Sequence, residues 1–186
     1  MEFKNTPNKS YKTTCGKEIW KGRNVAVVIT ILAEWENENY VLILKRGPAV
    51  NAEVGKWCMP CGYLDWDESG NQAAVREVWE ETGLDVQNLK DVEVLFRIDN
   101  TTWKVVSTPD DDPRQNVCLH YGVAFRCRSL PVPSFENCEA GEVEEFSWVK
   151  VKDVGSMDLA FNHQVYPPQF ELLINAYKEI GQIKRS

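Results

Sequence analysis

Val25 to Ala33 is a nearly unbroken run of β-branched and aliphatic residues, which predicts a buried strand. Tyr40 to Lys45 predicts a second strand, and the polar residues Glu36 to Asn39 form the turn between them. Trp57 to Met59 leads into a glutamate-rich stretch, after which Val92 to Ile98, Val117 to Arg126 and Phe146 to Val151 pattern as further strands. Two segments have helical spacing. In the first, Ala74, Val75, Val78, Trp79 and Thr82 share one arc that would face the core. Ser69-x-x-Gln72 is a capping-box pattern that starts this helix near Gly70, and Gly83 supplies a left-handed stop. In the second, Pro168 to Ile180 is periodic through Phe170, Leu172, Leu173 and Tyr177, with Gly181 as its stop. Asp153 to Asp158 is weakly patterned as a short helix. Residues 1 to 12 are polar and are expected to form a loose tail or an edge arm.

With 186 residues, 43% hydrophobic and 26% charged, the chain suits one domain with a sizeable core. Its formal charge of −7 argues against a polyanionic nucleic-acid partner held by a basic surface. No apolar run is long enough to span a bilayer, and Met1 to Lys12 lacks the apolar stretch of a signal peptide. Six cysteines without such a signal imply reduced thiols and a cytoplasmic location.

The chemistry lies between Gly62 and Leu84. Glu77, Glu80 and Glu81 are related by i,i+3 and i,i+4 spacing, so their carboxylates project from the arc opposite the apolar one. Like charges at that spacing weaken a helix by a few tenths of a kcal/mol, and a cation would make sense of the crowding. Hard oxygen donors of this kind suit Mg²⁺ together with substrate phosphate oxygens. Glu68, in the preceding loop, could approach the same cluster. Arg76, four residues before Glu80, could orient that carboxylate through a charge-assisted hydrogen bond. Gly62 would let the backbone pass close to the metal.

The spacing Gly62-x5-Glu68-x7-Arg76-Glu77-Val78-x-Glu80-Glu81-x-Gly83-Leu84 resembles the signature of the Nudix hydrolases, without a gap. By chance such a set should arise in about one chain in a million. The resemblance implies an α/β fold, a Nudix-type α/β/α sandwich with a mixed β-sheet and a loop-helix-loop catalytic motif. It implies a Nudix domain over 21–186 behind an N-terminal arm over 1–20, and Mg²⁺, with Mn²⁺ as an alternative. In the family the arginine orients a glutamate while the paired glutamates bind the metal; those roles fall to Arg76, Glu77, Glu80 and Glu81, with Glu68 and Gly62 beside the metal. Some subfamilies take a base from a later strand. In Glu142-Val143-Glu144-Glu145 that base is expected at Glu145, with Glu142 and Glu144 as alternates.

One position departs from the family. Pro60-Cys61-Gly62 replaces the usual Pro-Gly-Gly and creates Cys58-x-x-Cys61. Zinc would need a second ligand pair, and a redox pair belongs at a helix N-terminus, so packed thiols are the expectation. Asp112-Pro113-Arg114 resembles a segment of some ADP-ribose pyrophosphatases, where Arg114 could contact a ribose or phosphate or else pair with Asp110 or Asp111. Trp103, in a polar loop, could stack on a base, and Arg46 is a third substrate-binding candidate. His120 and His163 are expected to be structural. The expected substrate is therefore a small nucleoside diphosphate derivative, ADP-ribose or a nucleotide sugar, with no nucleic-acid or membrane partner. A nucleoside triphosphate pyrophosphatase and a non-catalytic nucleotide sensor remain as alternatives. The sensor reading is disfavoured because the catalytic residues are all present, and because such regulators carry a winged-helix domain that this chain is too short to follow with. The resemblance leaves a homodimer open.

Overall fold

The strand Val25–Trp35 is the spine of the molecule because each of its faces has an apolar layer to pack against. Val27, Ile29, Ile31 and Ala33 point into one core, and Val28 and Leu32 into the other. A strand buried on both faces needs apolar residues throughout, hence a run and not an alternation. The structure, a computed structural model, describes residues 9–21, 25–108 and 112–183, with side chains placed for 10–19, 25–104 and 117–183.

In chain order the strands are β1 (Lys9–Lys12), β2 (Glu18–Lys21), β3 (Val25–Trp35), β4 (Glu38–Arg46), β5 (Trp57–Cys58), β6 (Cys61–Tyr63), β7 (Val92–Thr108), β8 (Asp112–Cys127) and β9 (Val143–Lys150). The helices are α1 (Gly70–Thr82), α2 (Val151–Val154) and α3 (Tyr166–Glu179), with a 3₁₀ turn over Ala160–Val165. β1 and β2 pair with each other as a separate antiparallel hairpin, so Lys9–Lys12 is a strand and not a tail; residues 1–8 lie outside the described residues.

The other seven strands form one mixed sheet. β3 runs parallel to β8 from Val25↔Val117 to Glu34↔Arg126, and β7 is antiparallel to β8. β4 pairs with β3 only over Leu32 to Trp35, and then the two strands part. The segment Trp57–Tyr63 fills the opening. Its first half, β5, pairs with β4 at Leu44 and Lys45; its second half, β6, pairs with β3 at Ala26 to Val28. β9 covers the far edge of β4. The wedge matters because it carries Gly62 and Cys61 to the underside of α1.

α1 covers one face of the sheet through Ala73, Ala74, Val75 and Val78, packed on Val27, Ile29 and Phe125. α2 and α3 cover the other through Val151, Val154, Phe170 and Ile174, packed on Val28, Leu32, Val41 and Ala124. The result is a mixed sheet sandwiched between helices, the α/β class expected. On α1 the capping box is formed: the Ser69 N–H donates to Gln72 Oε1 at 2.8 Å and the Gln72 N–H to Ser69 Oγ at 3.3 Å. Gly83 closes the helix at φ 69°, its N–H donating to the Trp79 carbonyl at 3.0 Å. Gly122 on β8 is required by packing, since a Cβ there would fall on the Phe170 ring of α3.

Several boundaries differ from the sequence expectations. β7 continues well past Ile98 to Thr108, with register shifts at Val94/Phe96, Phe96/Asp99 and Asn100/Thr102. Such bulges break the period-two pattern that would otherwise announce a strand. Trp103 therefore sits on a strand and not in a loop. β9 starts earlier, at Val143, and Val151 opens α2. α3 begins at Tyr166, with Pro167 and Pro168 in its first turn, where the missing N–H costs nothing. Among the described residues no helix is long and apolar enough to cross a membrane.

Candidate active site

Arg76 is the hub of the site. It sits on α1 almost entirely buried, with 3% of its surface exposed. Its Nη2 donates to Glu68 Oε1 at 2.7 Å and its Nε to Glu68 Oε2 at 3.1 Å, a two-point grip on one carboxylate. Nη1 donates to Glu77 Oε1 at 2.7 Å and to Glu80 Oε2 at 2.9 Å. Nη2 also reaches the Tyr63 carbonyl on β6 at 3.0 Å, tying helix to wedge. Burial works against the Arg76 charge, but Glu68, Glu77 and Glu80 outweigh it and hold the guanidinium above its usual range.

The acidic arc of α1 is not left to solvent. Glu77 and Glu81 are buried, and Glu80 is half-buried. Glu81 Oε2 accepts the Cys61 N–H at 2.9 Å, an interaction with a backbone group that no side-chain pattern announces. Gly62 has no positive φ; it is glycine because a Cβ would land on the Glu77 carboxylate. Cys61 takes ordinary strand angles opposite Val28, so the missing glycine of Pro-Gly-Gly distorts nothing here.

Burial pushes the Glu77 carboxyl up to about 7, against Arg76, with Glu80 and Glu142 adding to the rise. Burial, then Cys61, Glu77 and Glu142, push Glu81 well above the carboxylate range. Glu142 is raised by burial, Glu139 and Glu80, and Arg46 opposes the rise. Four carboxylates thus share one field: Glu77, Glu80, Glu81 and Glu142.

Of the three late-strand candidates, Glu142, an alternate to Glu145, is the one that shares the field of Glu77 and Glu81. The register pairs Lys45 with Glu145 and Arg46 with Val143, so β9 carries one extra residue at this point. Beside the bulge Glu145 is exposed, Glu144 pairs with Lys45 at 3.1 Å, and Glu142 is half-buried. The Gly47 N–H anchors this point of the chain by donating to the Glu142 carbonyl at 2.7 Å.

The remaining candidates divide. Arg46 is half-buried and donates from Nε to the Ala52 carbonyl at 3.0 Å, and its charge opposes the rise of the Glu142 carboxyl and the Cys61 thiol. Trp103 is 64% exposed and lies in the row Gly62, Val27, Leu119, Trp103, three strands from Gly62, about 14 Å. The Arg114 side chain lies outside the described residues, as do Asp110 and Asp111. The Cys58 thiol beside it, together with burial, pushes the Cys61 thiol up, and all the described cysteines are free. Both histidines are buried, and burial lowers each to about 3. His120 hydrogen-bonds with Thr30 and Thr101 and stacks on Tyr166 at 4.4 Å; His163 accepts the Met59 N–H. A cavity of about 320 Å³ between α1 and β7, lined by Asn71, Gln72, Val75, Val86, Val94 and Arg97, contains none of the glutamates.

Among the described residues no three acidic, histidine or cysteine groups already converge on one point at metal-binding distance. Glu68, Glu77 and Glu80 lean on Arg76, and Glu81 on the Cys61 N–H. The donor chemistry nevertheless suits a hard divalent ion: an all-carboxylate set whose members repel one another and which one guanidinium does not neutralise.

The model of the NUDIX domain matches residues 22–171. The chain belongs to the Nudix hydrolase family. Its Nudix signature is the Gly62 to Leu84 stretch whose geometry is given above. It is 29% identical over 119 residues to an RNA pyrophosphohydrolase of Bartonella bacilliformis, a match covering 62% of this chain and 70% of that protein. It is 35% identical over 82 residues to an ADP-ribose pyrophosphatase of Methanocaldococcus jannaschii, covering 44% of this chain and 41% of that one. The fold is similar to the NUDIX domain of Shewanella oneidensis NrtR complexed with ADP ribose, at a TM-score of 0.64 and 20% identity, covering 83% and 90% of the two chains.

Proposed function

We propose that this Nudix hydrolase cleaves the diphosphate bond of a nucleoside diphosphate linked to another moiety, ADP-ribose or a related nucleotide sugar, with Mg²⁺ or Mn²⁺. The observation that carries the reading is the carboxylate group of buried Glu77 and Glu81 with half-buried Glu80 and Glu142, Glu77 lying against Gly62. A divalent ion held by Glu77, Glu80 and Glu81 would neutralise diphosphate oxygens and acidify a bound water. Arg76 orients Glu77 and Glu80 through its Nη1, and its charge opposes the rise that burial imposes on Glu77. Glu142, raised by burial and lying outside the arginine's hydrogen bonds, would accept the proton of the attacking water. Water adds to one phosphorus, the bridging P–O bond breaks, and AMP and a sugar phosphate leave.

The sugar-linked class is supported by the Asp112-Pro113-Arg114 likeness and by the ADP-ribose pyrophosphatase relative. A triphosphate substrate is the second reading, because the Bartonella bacilliformis relative is named for RNA pyrophosphohydrolysis. The formal charge of −7 disfavours an RNA of any length. Turnover with each divalent ion, with products identified by mass, separates the two. AMP from ADP-ribose supports the first; pyrophosphate released from a nucleoside triphosphate or from a 5′-triphosphorylated oligonucleotide replaces it.

A further inference from the structure

The last four carbonyls of a helix have no partner within it. In α1 they belong to Trp79, Glu80, Glu81 and Thr82, so the uncapped end is also the end that carries two of the carboxylates assigned to the metal. Negative side chains are unfavourable at the negative end of a helix dipole, and no basic residue lies in that last turn. The loop between β8 and β9 supplies neutral donors instead. The Ser134 N–H donates to the Thr82 carbonyl at 2.9 Å, Asn137 Nδ2 to the Trp79 carbonyl at 3.4 Å, and Cys138 Sγ to the Glu81 carbonyl at 3.1 Å. Burial, Glu81 and Glu142 push the Cys138 thiol up to about 11, so it stays protonated and able to donate.

Four residues after Cys138 the same loop reaches Glu142. The path is short. The Glu142 N–H donates to the Glu139 carbonyl at 3.1 Å, closing a four-residue turn whose third residue, Gly141, has φ 79°. The residues that follow β4 hold the end of this turn: the Ala49 N–H donates to the Gly141 carbonyl at 2.9 Å and the Gly47 N–H to the Glu142 carbonyl at 2.7 Å. Gly47 is glycine because a Cβ there would overlap the Gly141 carbonyl. The loop is thus a strap with one end on α1 and the other on the chain after β4.

We propose that Cys138, supported by Asn137, is a positioning residue for the hydrolysis: its hydrogen bond to the Glu81 backbone fixes the spacing between the metal-binding end of α1 and Glu142. This rests on the roles given to Glu81 and Glu142 in the reading above. Cys138 acts through those two residues, so its removal should slow the chemical step and leave substrate affinity nearly unchanged.

Steady-state kinetics with Mg²⁺ on ADP-ribose, or on a nucleoside triphosphate if the wild type prefers it, test this through a double-mutant cycle of Cys138→Ala and Glu142→Gln. Cys138→Ala should lower kcat about 10- to 100-fold, the scale of an ångström-sized misplacement, with KM within about twofold. Cys138→Ser keeps a donor and should recover most of that loss. On the Glu142→Gln background, Cys138→Ala should cost less than about twofold more, because the group it positions is already gone. If Cys138→Ala does not fold, Asn137→Ala removes a single donor and takes its place in the cycle. Full additivity of the two losses, or a wild-type kcat in Cys138→Ala, overturns the inference and leaves the hydrolase reading standing. A wild type that turns over neither substrate removes both.

Discussion

At the scale of single residues, the site is organised by an imbalance of charge. One buried guanidinium contacts Glu68, Glu77 and Glu80, while Glu81 and Glu142 lie beyond its hydrogen bonds. Removing one member of a buried ionic group strands the others at several kcal/mol, so the members are not interchangeable. Glu142 and Glu145 sit three residues apart, and the strand bulge sends them to different surroundings. Glu142→Gln should lower kcat/KM about 10²- to 10⁴-fold, the usual worth of a general base, while Glu145→Gln should stay within twofold of wild type. Steady-state kinetics on both variants decides it, and the reverse pattern would return the base to Glu145. The difference was only partly legible in the sequence: three glutamates in four positions were visible, but their different surroundings depended on one extra residue in β9 relative to β4.

At the scale of elements, the wedge and the capping of α1 position the chemistry. β5 and β6 occupy the opening between β3 and β4, and β6 brings the Cys61 N–H and the Tyr63 carbonyl to Glu81 and Arg76. On the opposite face, α3 seats Phe170 directly on Gly122. Gly122→Ala should destabilise the protein by about 1–3 kcal/mol through overpacking. Urea unfolding should show a lower midpoint with an unchanged m-value, and an unaltered midpoint would mean that α3 is not seated there. The C-terminal end of α3 is held by Lys178 to Glu34, and Glu34 also accepts Arg126 Nε at 2.7 Å, a link from helix to sheet. The caps of α1 were legible in advance because Ser69, Gln72 and Gly83 act within one or two turns. β6 was not, since a three-residue strand has too little pattern to announce itself.

At the scale of the whole molecule, buried titrating groups set opposing dependences on pH. Glu77 titrates near 7 when folded, above its usual 4.5, so between those values the folded state holds more protons than the unfolded one. Its contribution therefore lowers stability as pH rises through that window and stays unfavourable above it. His120 and His163 act the other way: their folded values near 3 lie below 6.5, so stability is lost as pH falls from 6.5 toward 3. A divalent ion binds ionised carboxylates, so its stabilising effect should grow as Glu77 and Glu81 lose protons. Thermal melts with and without Mg²⁺ should show a larger upward shift at about pH 8 than at about pH 5. Equal shifts at both would argue that the ion binds elsewhere than at these glutamates.

The sequence alone determined the parts whose causes are local. Burial on both faces writes itself as the apolar run of β3, capping and periodicity delimit α1, and i,i+4 adjacency places Glu77, Glu80 and Glu81 together next to Arg76. Those features depend on residues within a few turns of one another. Tertiary structure alone decided what depended on register and distant packing. It brought the Gly62 backbone against Glu77, set Glu142 and Glu145 in different surroundings and laid Arg46 over Phe161. Gly62 and Glu77, and likewise Arg46 and Phe161, meet only when the sheet forms, because a shift of one residue along a strand turns a side chain to the other face.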